Sequence, residues 1–166
     1  MFTKTRTDFI AIFAAFLSAF AALGTAWASQ YGFDLFPCEL CLYQRLPYIG
    51  ILALSSASLT PFVDSEPRRL AMGVIALLFL TTAAVAGYHI GVEQGWWDSS
   101  CAPTGNQSFS IDDIQSALQK PGMPACNDVP FTLFGLSMAA YNMIAGMALS
   151  GLAFWATRKT SLWNTP

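Results

Sequence analysis

The chain has 166 residues, of which 54% are apolar and only 11% charged, with a formal net charge of −2. A soluble domain carries roughly a quarter charged residues, so an ordinary water-soluble globule is excluded, and no basic tract points to nucleic acid. Long runs with no Asp, Glu, Lys or Arg account for the deficit, and each reaches the ~17–20 residues that cross a bilayer core. The sequence therefore predicts an all-α integral membrane four-helix bundle, one domain over residues 1–166.

The first span is predicted at 9–28, after Lys4 and Arg6. Ala26-Trp27-Ala28 resembles a signal-peptide cleavage site, but the apolar run exceeds the usual ~7–15 residues of such a leader, so a retained first span is expected. A short loop, Ser29 to Cys41, carries Phe36-Pro37-Cys38-Glu39-Leu40-Cys41. The second span is predicted at 46–63, with Pro47 as a candidate helix start. A tight polar loop, Asp64 to Arg69, leads to the third span at 70–92, which holds His89, the single histidine. The long loop from Glu93 to Asp128 holds Cys101 and Cys126. Within it, Ser110 to Gln119 reads as a short amphipathic helix, with Ser110 as N-cap and Pro121-Gly122 as the stop. The fourth span is predicted at 131–157.

Trp27, Tyr31, Trp96 and Trp97 suit one membrane interface and Trp155 the other. Ala83, Gly87 and Gly91, then Gly146 and Ser150, are small residues spaced for close helix packing. Asn142, deep in the fourth span, is expected to hydrogen-bond between helices.

Six of the eight Lys and Arg residues fall on the side of the termini and of Arg68-Arg69. The positive-inside rule makes that side cytoplasmic. All four cysteines then face the opposite side, which in a bacterium is the periplasm, where disulfides persist. The protein is thus expected in the inner membrane, multi-pass, with both termini cytoplasmic.

Cys38-x-x-Cys41 is a redox or metal pattern. Four cysteines allow three pairings. Confinement of each pair to its own loop favours Cys38–Cys41 and Cys101–Cys126 at rest. Thiol–disulfide exchange would link the pairs. Two bridges that merely staple loops are the bland alternative. A four-thiolate zinc site lacks its second knuckle, because Cys101 and Cys126 stand 25 apart, and no metal is expected.

Cys41 is the candidate for the stabilised thiolate, since a helix N-terminus and the nearby Arg45 both lower a thiol pKa. His89 shares a helix face with Glu93 and could move protons for a two-electron carrier such as a quinone. An interfacial hydrogen-bonded histidine is the alternative.

Four features together resemble the DsbB family of disulfide bond formation proteins. They are Pro37-Cys38-x-x-Cys41 with Arg45, the four-span hydropathy, the second cysteine pair in the long loop, and Cys126-Asn-Asp-Val-Pro-Phe leading into Leu133-Phe134-Gly135-Leu136-Ser137. The resemblance implies a quinone-dependent protein-disulfide oxidoreductase of the kind that keeps the periplasm oxidising. The reduced partner, a DsbA-like thioredoxin-fold protein, would attack Cys101. Freed Cys126 would attack Cys38, and Cys41, helped by Arg45, would pass electrons to a quinone (ubiquinone or menaquinone). Some members carry Glu before the matching arginine, where this chain has Gln44, and the family histidine matches His89 loosely in register. A quinone-linked enzyme resembling vitamin K epoxide reductase is the rival, but its loop cysteines usually precede the Cys-x-x-Cys, and here they follow it.

Overall fold

A computed structural model describes residues 5–97, 101, 124–129 and 131–163. Its long elements are helices α1 (Thr5–Gly32), α2 (Glu39–Ser58), α3 (Ser65–Glu93) and α4 (Met138–Arg158). By length and composition, α1, α3 and α4 suffice to cross a membrane. The second predicted span differs from its helix, which begins at Glu39, before residue 46, and ends at Ser58, before residue 63. Glu39, Gln44 and Arg45 dilute its first half, so α2 is not among the apolar three. The predicted helix at 110–119 lies outside the described residues.

Helix α2 starts early because Cys38 caps it. Cys38 is extended (φ −75°, ψ 173°) and its sulfur accepts the backbone N–H of Cys41. Glu39 in the first turn complements the helix dipole. Pro47 lies inside the helix and not at its start. It removes one backbone donor there, a defect that membrane helices tolerate when neighbours satisfy the freed carbonyl.

Buried positions on α2 run Leu40, Gln44, Tyr48, Ile51, Ser55 and Ser58, one helical face. That face packs on α3, which also packs along α4, while α1 lies mainly against α2. Ile12, Ala19 and Leu23 of α1 join Ile51, Ile75 and Phe79 in the main core. The small residues do close the α3–α4 contact. A Cβ on Gly146 would meet the Ala83 side chain and the Phe79 carbonyl at 3.0 Å. Ser150 Oγ donates to the Ala76 carbonyl at 2.9 Å.

The two ends of the molecule differ. At one end Arg68 donates to Asp8 (3.1 Å) and to the carbonyls of Ser58 and Thr60, tying α1, α2 and α3 together. At the other end lie the cysteines. There β1 (Thr132–Leu133) and β2 (Leu136–Ser137) form a small antiparallel hairpin. Both turn residues have positive φ, 50° at Phe134 and 79° at Gly135. Such a turn matches the twist of a two-residue hairpin loop. The hairpin delivers Ser137 as N-cap of α4, its side chain accepting from the Ala140 N–H. Tyr141 closes the corner by donating to the Leu133 carbonyl at 2.9 Å.

Candidate active site

The loop pair and the α2 pair meet in one buried cluster. Cys38 and Cys126 are buried with Leu40 and Val92, and Cys41 and Cys101 pack against them. Cys101 and Cys126 form a disulfide, and the Cys126 N–H donates to the Cys101 carbonyl at 2.8 Å.

Cys38 and Cys41 are free cysteines, with their sulfurs 2.7 Å apart. The bridge expected between them is not formed in this structure, and the two thiols contact each other directly. The helical cap keeps the sulfurs together, because Cys41 N–H also donates to Cys38 Sγ at 3.3 Å.

Beside Cys41, the candidate thiolate drawn from the sequence, Cys38 is the sulfur on which the hydrogen-bond donors converge. Its pKa is lowered to about 4, chiefly by the hydrogen bond from the Cys41 thiol; burial opposes this, and His89 and the Cys41 N–H assist. A sulfur at the cap collects these donors, whereas a sulfur inside the first turn supplies one.

Arg45 reaches α1. Its Nη1 donates to Gln30 Oε1 at 2.8 Å, and its Nη2 lies 3.5 Å from the Ala26 carbonyl. The hydrogen bond to Cys38 and burial push the Cys41 thiol up, and the Arg45 charge opposes that rise only weakly. Gln30, which fixes the guanidinium against α1, had no signal in the sequence beyond being polar near the end of an apolar run.

His89 is buried at the centre of the cluster. Its Nε2 lies 3.6 Å from Cys38 Sγ, 3.3 Å from the Cys126 carbonyl and 3.7 Å from Glu93 Oε1. One ring edge therefore touches both cysteine pairs. The other edge meets α2, with Nδ1 2.9 Å from Gln44 Nε2. Asn142 bonds Gln44, Tyr48 and Thr82, as expected of a polar residue between helices. Gln44, Tyr48 and Thr82 were not foreseen as site residues. The signal was available: Gln44 and Tyr48 are four apart on the helix that carries Cys41, and an intramembrane polar residue seeks a partner.

Cys38, Cys41 and His89 also form a soft donor set, their ligand atoms within 4.8 Å of one another. Two thiolates on one tetrahedral zinc stand about 3.8 Å apart, given a Zn–S length of about 2.3 Å. The sulfurs here stand 2.7 Å apart, closer than two ligands of one zinc would.

With a Cys-x-x-Cys at a helix cap, a second bridged pair against it and apolar helices around both, the comparisons agree. Residues 7–156 match the family Disulfide bond formation protein DsbB. The chain belongs to the DsbB family.

Among its relatives, Disulfide bond formation protein B 2 of Pseudomonas savastanoi pv. phaseolicola is 32% identical over 87% of this chain and 85% of the relative. The protein of that name from Pseudomonas syringae pv. syringae is 30% identical over 92% of this chain and 95% of its own. Disulfide bond formation protein B of Haemophilus influenzae is 27% identical over 78% and 76%. No solved structure matches. Membership makes this chain a membrane oxidoreductase of disulfide bond formation.

Proposed function

We propose that this DsbB-family protein reoxidises a periplasmic thioredoxin-fold dithiol of the DsbA kind and passes the electrons to a membrane quinone. The observation that carries the reading is the burial of both cysteine pairs in one cluster, with His89 touching Cys38 and the Cys126 backbone. Loops stapled for stability alone have no need to bring a bridge and a dithiol together.

The reaction balances as follows. A partner thiolate attacks Cys101, the Cys101–Cys126 bond breaks, and Cys126 leaves as a thiolate. The second partner thiolate attacks the partner's own sulfur of that mixed disulfide, which frees the oxidised partner and the Cys101 thiol. Between pairs, starting from an oxidised Cys38–Cys41 bridge, the Cys126 thiolate would attack Cys38 and break that bridge, releasing the Cys41 thiolate; Cys101 would then attack Cys126, reforming Cys101–Cys126 and releasing Cys38, so that Cys38 and Cys41 are left as the dithiol. A Cys101–Cys126 bridge beside two unbridged thiols, the pairing of this structure, is compatible with that point of the cycle.

The residues around Cys41 fit a quinone. Arg45 offers a cation one turn along α2 from Cys41, held by Gln30, and Phe33 and Phe36 are exposed apolar rings in the adjoining segment. When bound, the quinone supplies a two-electron, two-proton sink. Arg45 would orient its polar edge, Cys41 would face its ring, and the Cys38 thiolate would close the Cys38–Cys41 bridge.

The four helices are proposed to span an inner membrane as a bundle, with termini cytoplasmic and cysteines periplasmic. The basic residues at the Asp8–Arg68 end support that orientation. The test mixes purified protein, a reduced thioredoxin-fold protein and a quinone, and follows quinone absorbance. Catalytic loss of quinone absorbance is expected; none with any of several reduced partners would overturn the reading.

A further inference from the structure

The polar core beside Cys38 has a direction. Tyr48 donates its hydroxyl proton to Asn142 Oδ1 at 2.6 Å. Asn142 Nδ2 donates to Gln44 Oε1. Gln44 then has only its Nε2 left to present to His89 Nδ1, 2.9 Å away.

Thr82 decides the sense of this chain. Its hydroxyl donates to the Gln44 backbone carbonyl at 3.2 Å, so toward Asn142 Nδ2, at 3.3 Å, it can only accept. A hydroxyl has a single proton to give. Turning the Asn142 amide over would make Thr82 give up its bond to the Gln44 carbonyl in order to donate to Asn142, and turning Gln44 alone would set nitrogen against nitrogen at Asn142. The amide orientations therefore follow from one another.

The far edge of the imidazole gives the same answer. A backbone carbonyl accepts and never donates, and Nε2 lies 3.3 Å from the Cys126 carbonyl. Its other neighbours there are Cys38 Sγ and Glu93 Oε1, both able to accept.

We infer that Gln44, Asn142 and Thr82 are positioning residues that lock His89 in the tautomer protonated on Nε2, so that the imidazole donates to the Cys38 sulfur. The consequence rests on the proposed thiol-oxidase reading: Cys38 is kept as the nucleophile that closes the Cys38–Cys41 bridge. A neutral ring with bare Nε2 could only accept from the Cys38 thiol and would offer its thiolate no donor. The choice of Gln at position 44 matters for this reason. A Glu carboxylate there would present only acceptors and would call for a proton on Nδ1.

His89 is the single histidine of the chain, so selective nitrogen-15 histidine labelling reports one ring. The full-length reduced protein in lipid nanodiscs would be examined by long-range nitrogen–proton correlation at neutral pH. Protonated Nε2 with bare Nδ1 is expected. In Gln44→Glu, which keeps shape, Nδ1 should become protonated. In Thr82→Val, which removes the deciding hydroxyl, both tautomers should be populated. A wild-type ring protonated only on Nδ1 overturns the inference, and so does a Gln44→Glu ring whose Nδ1 stays bare. The readout needs no turnover: absent quinone reduction beside the expected tautomer would sink the oxidase reading and leave the tautomer assignment standing.

Discussion

His89 Nε2 stands 3.6 Å from the sulfur of Cys38 and 3.3 Å from the carbonyl of Cys126. The two residues that bracket this ring belong to different cysteine pairs and to segments far apart in the chain. The same contact that steadies the Cys38 thiolate thus draws the second pair against it.

The order of attack is open to trapping. Cys126→Ser leaves Cys101 without its resolving thiol, so a partner disulfide at Cys101 should accumulate. Non-reducing electrophoresis with mass mapping of the joined peptides checks this. Comparable trapping by Cys101→Ser would show that the attacked sulfur is Cys126.

Arg45 is expected to serve the step after partner attack. Arg45→Ala removes a charge-assisted hydrogen-bonded group, an effect of ~1.5–3 kcal/mol. Quinone reduction should fall by about tenfold to a hundredfold, while the rate of forming the mixed disulfide with the partner changes little. Equal losses at both steps would assign Arg45 to folding, through its bonds to Gln30 and Ala26.

The reactivity of Cys38 should be nearly independent of pH through neutrality. Its pKa is lowered to about 4 by the Cys41 hydrogen bond above all, so the thiolate dominates above that value and is lost only as pH falls toward it. Cys41, His89 and Glu93 are the titratable groups around it. Alkylation of reduced protein by a neutral haloacetamide, resolved by peptide, should give a flat Cys38 rate from pH 6 to pH 8, in contrast to the steep rise of an ordinary thiol with a pKa of ~8.5. A tenfold rise per pH unit across that range would remove the thiolate from Cys38.

At the opposite end, Asp8→Ala should cost stability without touching the redox chemistry. The mutation leaves the Arg68 guanidinium buried and bonded only to carbonyls of Ser58 and Thr60. Breaking one side of a buried pair costs about 3–5 kcal/mol. Unfolding in detergent would register the loss; an unchanged midpoint would mean that Arg68 finds water there.

Much of this protein was legible in its residues. Apolar length set the helices, because a bilayer leaves backbone groups no partner except within a helix or a closed barrel. The Cys-x-x-Cys spacing and the distant second pair pointed to redox chemistry, since two close thiols can form and exchange a disulfide. The small residues at Ala83 and Gly146 announced a close contact, which α3 and α4 make.

Other features depended on neighbours that no local pattern reveals. Whether Cys38 or Cys41 holds the charge turns on which sulfur receives the helix-cap N–H and the imidazole, and His89 comes from a helix 51 residues away. Pro47 suggested a later helix start, but the Cys38 cap prevailed over the local preference of proline. The hairpin at Phe134 needed positive φ at a residue that ordinarily avoids it. The sense of the chain from Tyr48 to His89 belongs to the assembled core alone, because a buried donor must find an acceptor and each amide can satisfy its neighbours in only one orientation. Sequence by itself determined that two cysteine pairs lie at the ends of apolar helices, because spacing and hydropathy are local; the tertiary structure decided that both pairs and His89 share one buried cluster, because only packing brings distant segments together.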